Sequence, residues 1–63
     1  MCEANAYLVQ GDQEQLLLSS VDIVEPDGVD SWRIVDIFGS QKTIKARIKM
    51  MNLVDHKILF EKV

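Results

Sequence analysis

The sequence predicts an all-β protein, a small antiparallel barrel of five to six short strands. Apolar residues recur with a period of two, most clearly in "KTIKARIKM", where an amphipathic helix would need a period near 3.6. Turn-forming residues punctuate the chain at regular spacing: Gly11-Asp12, Pro26-Asp27-Gly28, Gly39-Ser40 and Asn52. No segment sorts its residues at helical spacing. A set of short strands without a covering helix protects its edges by closing on itself, which is why a barrel is expected rather than an open sheet.

The first strand is expected from Cys2 to Val9, with Cys2, Ala4, Ala6 and Leu8 on one face and Glu3, Asn5 and Tyr7 on the other. The turn at Gly11-Asp12 returns the chain into Leu16 to Leu18. A kink or bulge at Ser19-Ser20 separates that stretch from a further short strand, Val21 to Val24. Pro26-Asp27-Gly28 closes it, proline fixing φ and glycine accepting a positive one. In "DSWRIVDIFG", Trp32, Ile34 and Phe38 alternate with Val35 and Ile37, so both faces are apolar. Such a strand needs cover on both sides, and in so small a domain the second cover is expected from another subunit. The next strand points Ile44, Ala46, Ile48 and Met50 inward and Lys45, Arg47 and Lys49 outward. Asn52 makes a turn, and His56 to Glu61 form the last strand.

Residues 1–63 form one domain, of a size that buries only about 60% of its unfolded surface. Domains this small commonly gain support from a disulfide, a metal or a second subunit. The single cysteine excludes an internal disulfide, leaving metal, dimer or both. A hydrophobic content of 48% with 27% charged residues belongs to a folded domain rather than a disordered one. The net charge of −3 repels phosphate backbones and anionic membrane surfaces. No apolar run approaches the roughly 18 residues that cross a bilayer, and Glu3 and Asn5 interrupt what would be the apolar part of a secretory signal. A cytoplasmic location is expected, where reducing conditions keep a lone thiol free.

The position of that thiol carries the functional reading. A cysteine in a core is a small hydrophobe, but chain termini lie at the surface, and accessible thiolates bind soft and borderline metals. The amine of Met1, the main-chain nitrogen of Cys2 and the Cys2 thiolate can together form a fused chelate. An N,N,S set suits a flat-coordinating ion, Ni(II) or Cu(II), whereas zinc prefers a tetrahedron. If Met1 is removed, the exposed amine and thiolate of Cys2 still make a five-membered chelate. Either version leaves coordination positions open, which a second Cys2 across a two-fold axis would fill.

His56, the sole imidazole, is either a packed or exposed strand residue or a metal ligand. Lys42, Lys45, Arg47 and Lys49 could form an RNA-binding face, although such faces need exposed aromatics beside the charges and only Trp32 is available for that. Catalysis is not expected. There is no glycine-rich phosphate loop and no hydrolase pair of metal ligands, and Cys2 with His56 lacks the oriented base that a thiol nucleophile needs.

"MCEANAYL", "DIFGSQKTIKARI" and "NLVDHKILFE" resemble segments of the CooT-like family, small proteins linked to nickel delivery for carbon monoxide dehydrogenase and once described as RNA-binding. The resemblance runs essentially end to end, with the opening Met-Cys its most specific feature; "LLLSSVDIVEPDG" agrees in character more than in letters. It implies a homodimer of SH3-like β-barrels that binds Ni(II) at or near the dimer axis. Cys2 would be the essential ligand, together with the Met1 main-chain nitrogen. Asp55 and His56 match the family pattern without a role to carry over. The function so implied is a nickel-binding accessory protein, a chaperone or store without turnover of its own, possessing a nickel enzyme such as carbon monoxide dehydrogenase as recipient. The alternative is a small RNA-binding barrel using the basic strand face.

Overall fold

The computed structural model describes residues 3–63. Five strands follow one another: β1 (Ala4–Gln10), β2 (Gln13–Pro26), β3 (Ser31–Asp36), β4 (Gln41–Asn52) and β5 (Lys57–Lys62). They close into a barrel in chain order, each antiparallel to the next. The seam is the exception, because β1 and β5 both run away from the same end and pair in parallel, Asn5 with Lys57 through Val9 with Glu61. Five strands rather than six result because Leu16–Leu18 and Val21–Val24 are halves of one long β2, bent where expected. Ser20 takes a φ of 55° at the bend, and the register against β1 shifts there. One half of β2 pairs with β1 and the other with β3.

The interior is filled from every strand: Ala6, Val21, Ile34, Ala46, Ile58 and Phe60. Ala4 and Leu8 on β1, and Ile44 and Ile48 on β4, pack against this cluster as the alternation required. Trp32 also packs against it. The barrel is only 15 Å through its thinnest dimension, and Ala6 and Ala46 are small enough to let the walls approach around Phe60. Complete burial of Phe60 contributes roughly 1.5–3 kcal/mol relative to leaving it exposed.

Three expectations need correction. Met50 does not continue the inward row of β4. A bulge at Lys49 places Met50 opposite Leu59, on the outer face, and Met51 opposite Ile58. Phe38 is not a strand residue: β3 ends at Asp36, and Phe38 sits exposed in the turn that follows. His56 lies before β5 rather than in it, with a φ of 54° that ends the β4–β5 turn.

The turns show why the chain reverses where it does. Gly11, at φ 60°, occupies the first position of a two-residue loop between Gln10 and Gln13, the placement that a type II′ hairpin demands. After β3, the Asp36 carboxylate accepts hydrogen bonds from the Phe38 and Ser40 amides, each at 2.9 Å. Gly39, at φ 90°, lets the chain turn back.

Candidate functional site at the barrel mouth

The start of β1 and the start of β5 meet at one end of the barrel, beside the bend in β2. An open cavity of about 210 Å³ lies there. Its wall is apolar, from Ala4, Val21, Val24, Met51, Leu53 and Ile58, while Asp22, His56 and Lys57 add polar groups. Two irregularities build this mouth. The bulge at Lys49 carries Met51 to the same side as Ile58, and a second register shift, between Val21 and Ile23, leaves Asp22 unpaired with β3. Bulges at barrel rims redirect side chains in this way.

The loop between β4 and β5 forms the lip. Asn52 organises it, its side-chain amide donating to the Asp55 carboxylate at 3.1 Å and its side-chain oxygen accepting from the Asp55 amide at 3.0 Å. The Asn5 amide then donates to the His56 carbonyl at 2.8 Å, tying the lip to β1. With its backbone occupied in this way, His56 keeps an exposed side chain that borders the cavity. Leu53 and Val54 project from the same lip with 75% and 88% of their surface exposed.

Of the residues singled out as metal ligands, His56 is therefore placed at the mouth. Cys2 and the Met1 main-chain nitrogen lie outside the described residues. Ala4, two positions after Cys2, is on the cavity wall, so β1 enters the fold at this mouth. Among the described residues no group of three or more His, Cys, Asp or Glu is positioned to hold one ion.

Beyond the mouth, Lys57 reaches across the outer face of β1 to Glu14 at 2.8 Å, its ammonium 5.2 Å from the centre of the Tyr7 ring. The hydrogen bond to the Glu14 carboxylate holds the Lys57 pKa above its ordinary value, outweighing partial desolvation. The basic row on β4 is less free than its sequence suggests. Arg47 pairs with Glu61 at 2.9 Å, and Lys42 donates to the Leu17 carbonyl at 3.0 Å. Lys45 and Lys49 are exposed, but Trp32, the aromatic considered for stacking, is packed on the core.

Sequence reasoning missed Met51 and Leu53 as residues of the mouth. The signals were a methionine doublet that breaks the alternation of β4, and large apolar residues inside turn segments, where polar ones are the rule.

No curated protein matches the chain. The fold is shared with the crystal structure of a CooT assignment from Carboxydothermus hydrogenoformans, at 47% identity over 98% of each chain and a TM-score of 0.92. The match to the family described as "CO dehydrogenase accessory protein CooT" runs over residues 1–61. With nearly every residue inside that match and the same barrel in a relative at this identity, the chain belongs to the CooT family.

Proposed function

We propose that this chain is a Ni(II)-binding accessory protein, a nickel chaperone or store that serves carbon monoxide dehydrogenase maturation. It works as a cytoplasmic homodimer and performs no turnover of its own. The observation that carries this reading is the family match together with a lone cysteine at position 2, in a family described by its service to CO dehydrogenase. The placement of Ala4 on the wall of an open mouth supports it, because β1 begins at that mouth only two positions after Cys2 in the sequence.

Nickel is cargo here. The Cys2 thiolate and the main-chain nitrogens of Met1 and Cys2 supply an N,N,S donor set suited to a flat Ni(II) ion. A second chain contributes its own Cys2, so one ion serves two chains. His56, exposed at the lip, is an additional candidate donor. Binding to a thiol and an amine releases protons, so affinity rises with pH. A site of this kind at a terminus also releases its ion more readily than a four-ligand cage built from rigid strands.

The test is a titration of Ni(II) into protein with its native terminus, read by thiolate-to-nickel charge-transfer absorption. Cys2→Ser is expected to abolish tight binding while leaving the barrel folded. Native mass spectrometry is expected to find one nickel per two chains. Unchanged affinity in Cys2→Ser refutes the ligand assignment, and one nickel per chain refutes the shared site.

A further inference from the structure

The β3–β4 turn is a rigid mount for one exposed aromatic ring. Phe38 has 83% of its surface exposed, yet its backbone is held from several sides. Its amide donates to the Asp36 carboxylate, as does that of Ser40. The Asp36 amide donates to the Ser40 carbonyl at 2.9 Å, and the Ile37 amide to the Ser20 carbonyl at 2.9 Å. A large aromatic on a pre-ordered backbone loses little freedom when it docks, which is the property of an interface anchor.

The same molecule carries a receptor for such a ring. The mouth cavity is apolar and about 210 Å³, while a cavity of roughly 150 Å³ already accepts benzene. Knob and hole lie side by side along β2: Ser20, whose carbonyl holds the turn, is followed directly by Val21 and Asp22, which line the cavity. A two-fold axis between neighbouring features of this kind lets each copy fill the other, closing the pair instead of propagating a fibre.

Resting on the homodimer reading above, we propose that Phe38 of each chain inserts into the mouth of the other, against Met51 and Leu53. A second copy is the favoured occupant for three reasons. Both complementary features belong to one chain. The exposed Leu53 and Val54 extend the apolar surface around the hole. The rim carries Asp22 beside Lys57, whose ammonium is already paired with Glu14, so the rim is not uniformly acidic even though each chain has a net charge of −3. A standard interface of about 800 Å² per partner would cover roughly a fifth of the 4310 Å² that one chain exposes.

Sedimentation equilibrium of the metal-free full chain tests this, using wild type, Phe38→Ala, Leu53→Arg and Cys2→Ser, with circular dichroism to verify folding. An anchor of this type accounts for about thirty-fold in affinity, and a two-fold dimer loses it twice, so Phe38→Ala is expected to weaken dimerisation roughly a thousandfold. Leu53→Arg, which blocks the hole from an exposed position, is expected to do the same. Cys2→Ser is expected to dimerise like wild type while losing nickel. A wild type that stays monomeric overturns the proposal, as does either Phe38→Ala or Leu53→Arg dimerising normally. Failure of the nickel titration alone leaves this docking intact and removes only the metal reading.

Discussion

Leu53 in the β4–β5 turn and Phe60 in the strand that follows it are both large apolar residues, and the fold treats them in opposite ways. Phe60 is wholly buried among residues from all five strands, whereas Leu53 keeps three quarters of its surface in solvent at the mouth. The wall around Phe60 is regular, with Leu8 and Ile48 as direct register partners. The mouth around Leu53 is built from bulges at Asp22 and Lys49 and from a turn residue, His56, with positive φ. Regular pairing secures the fold, and departures from it open a surface. Irregularity and apolar exposure occur together at this end, which is why the proposed function and the proposed docking are both placed there.

The sharpest way to break this contrast is at Phe60. Phe60→Ala removes a fully buried ring from a thin core that cannot easily collapse around the void, and a loss of about 3–5 kcal/mol is expected. That approaches the whole stability of a domain this size, so the variant should be largely unfolded by circular dichroism at 25 °C. A cooperative melt near that of wild type would show that the core is not where stability resides.

Asp36→Ala is expected to have a smaller effect on stability, about 1–2 kcal/mol, by leaving the Phe38 and Ser40 amides without their charged acceptor. If the proposed dimer forms through Phe38, the same substitution is expected to loosen it, because the mount for Phe38 becomes mobile before docking. Chemical denaturation and sedimentation together check both parts. Loss of stability with an unchanged dimer constant would separate the turn from the interface.

The wall was legible in the sequence and the mouth was not, for a physical reason. Ala4, Ala6 and Leu8, and likewise Ile44, Ala46 and Ile48, reach the core because a strand held in register presents alternate residues to one side. One extra residue reverses that parity, and nothing local distinguishes Met50 from Met51 as the residue that turns inward. The bend at Ser19-Ser20 was visible from two short polar residues between apolar runs, although its continuity as a single strand depends on pairing with both β1 and β3. Phe38 looked like one more member of an alternating strand because Gly39, not Asp36, was read as its end. The Asp36 side chain ends it earlier by capturing the next amides. Of the candidate ligands, the sequence brought attention to His56 without its setting, which depends on the Asn52–Asp55 turn and the hydrogen bond from Asn5.

His56→Gly sharpens the role of the lip. Glycine adopts the observed positive φ without the penalty that histidine carries, so stability is expected to hold within about 0.5 kcal/mol or rise slightly. Any fall in nickel affinity would then report the imidazole and not a damaged turn. Unchanged affinity in a stably folded variant would remove His56 from the donor set and leave the terminus alone as the claw.

The smallest expected effect lies on the outer face of the seam, where Lys57 crosses Tyr7 to meet Glu14. The Lys57 pKa is raised in the folded state above its ordinary 10.5, chiefly by the hydrogen bond to Glu14. The folded chain therefore holds this proton more tightly than the unfolded one, and the pair's contribution is fully present below pH 10.5. It is lost as pH rises through the raised value, when the ammonium becomes neutral. Because the pair is partly exposed, the contribution should also shrink with added salt. Urea midpoints of wild type and Lys57→Met, compared from neutral pH upward, are expected to draw together as pH rises through the raised value. A difference that persists there would mean that the charge of Lys57 is not what stabilises the seam, because methionine keeps an apolar stem over Tyr7 and differs chiefly in lacking the ammonium.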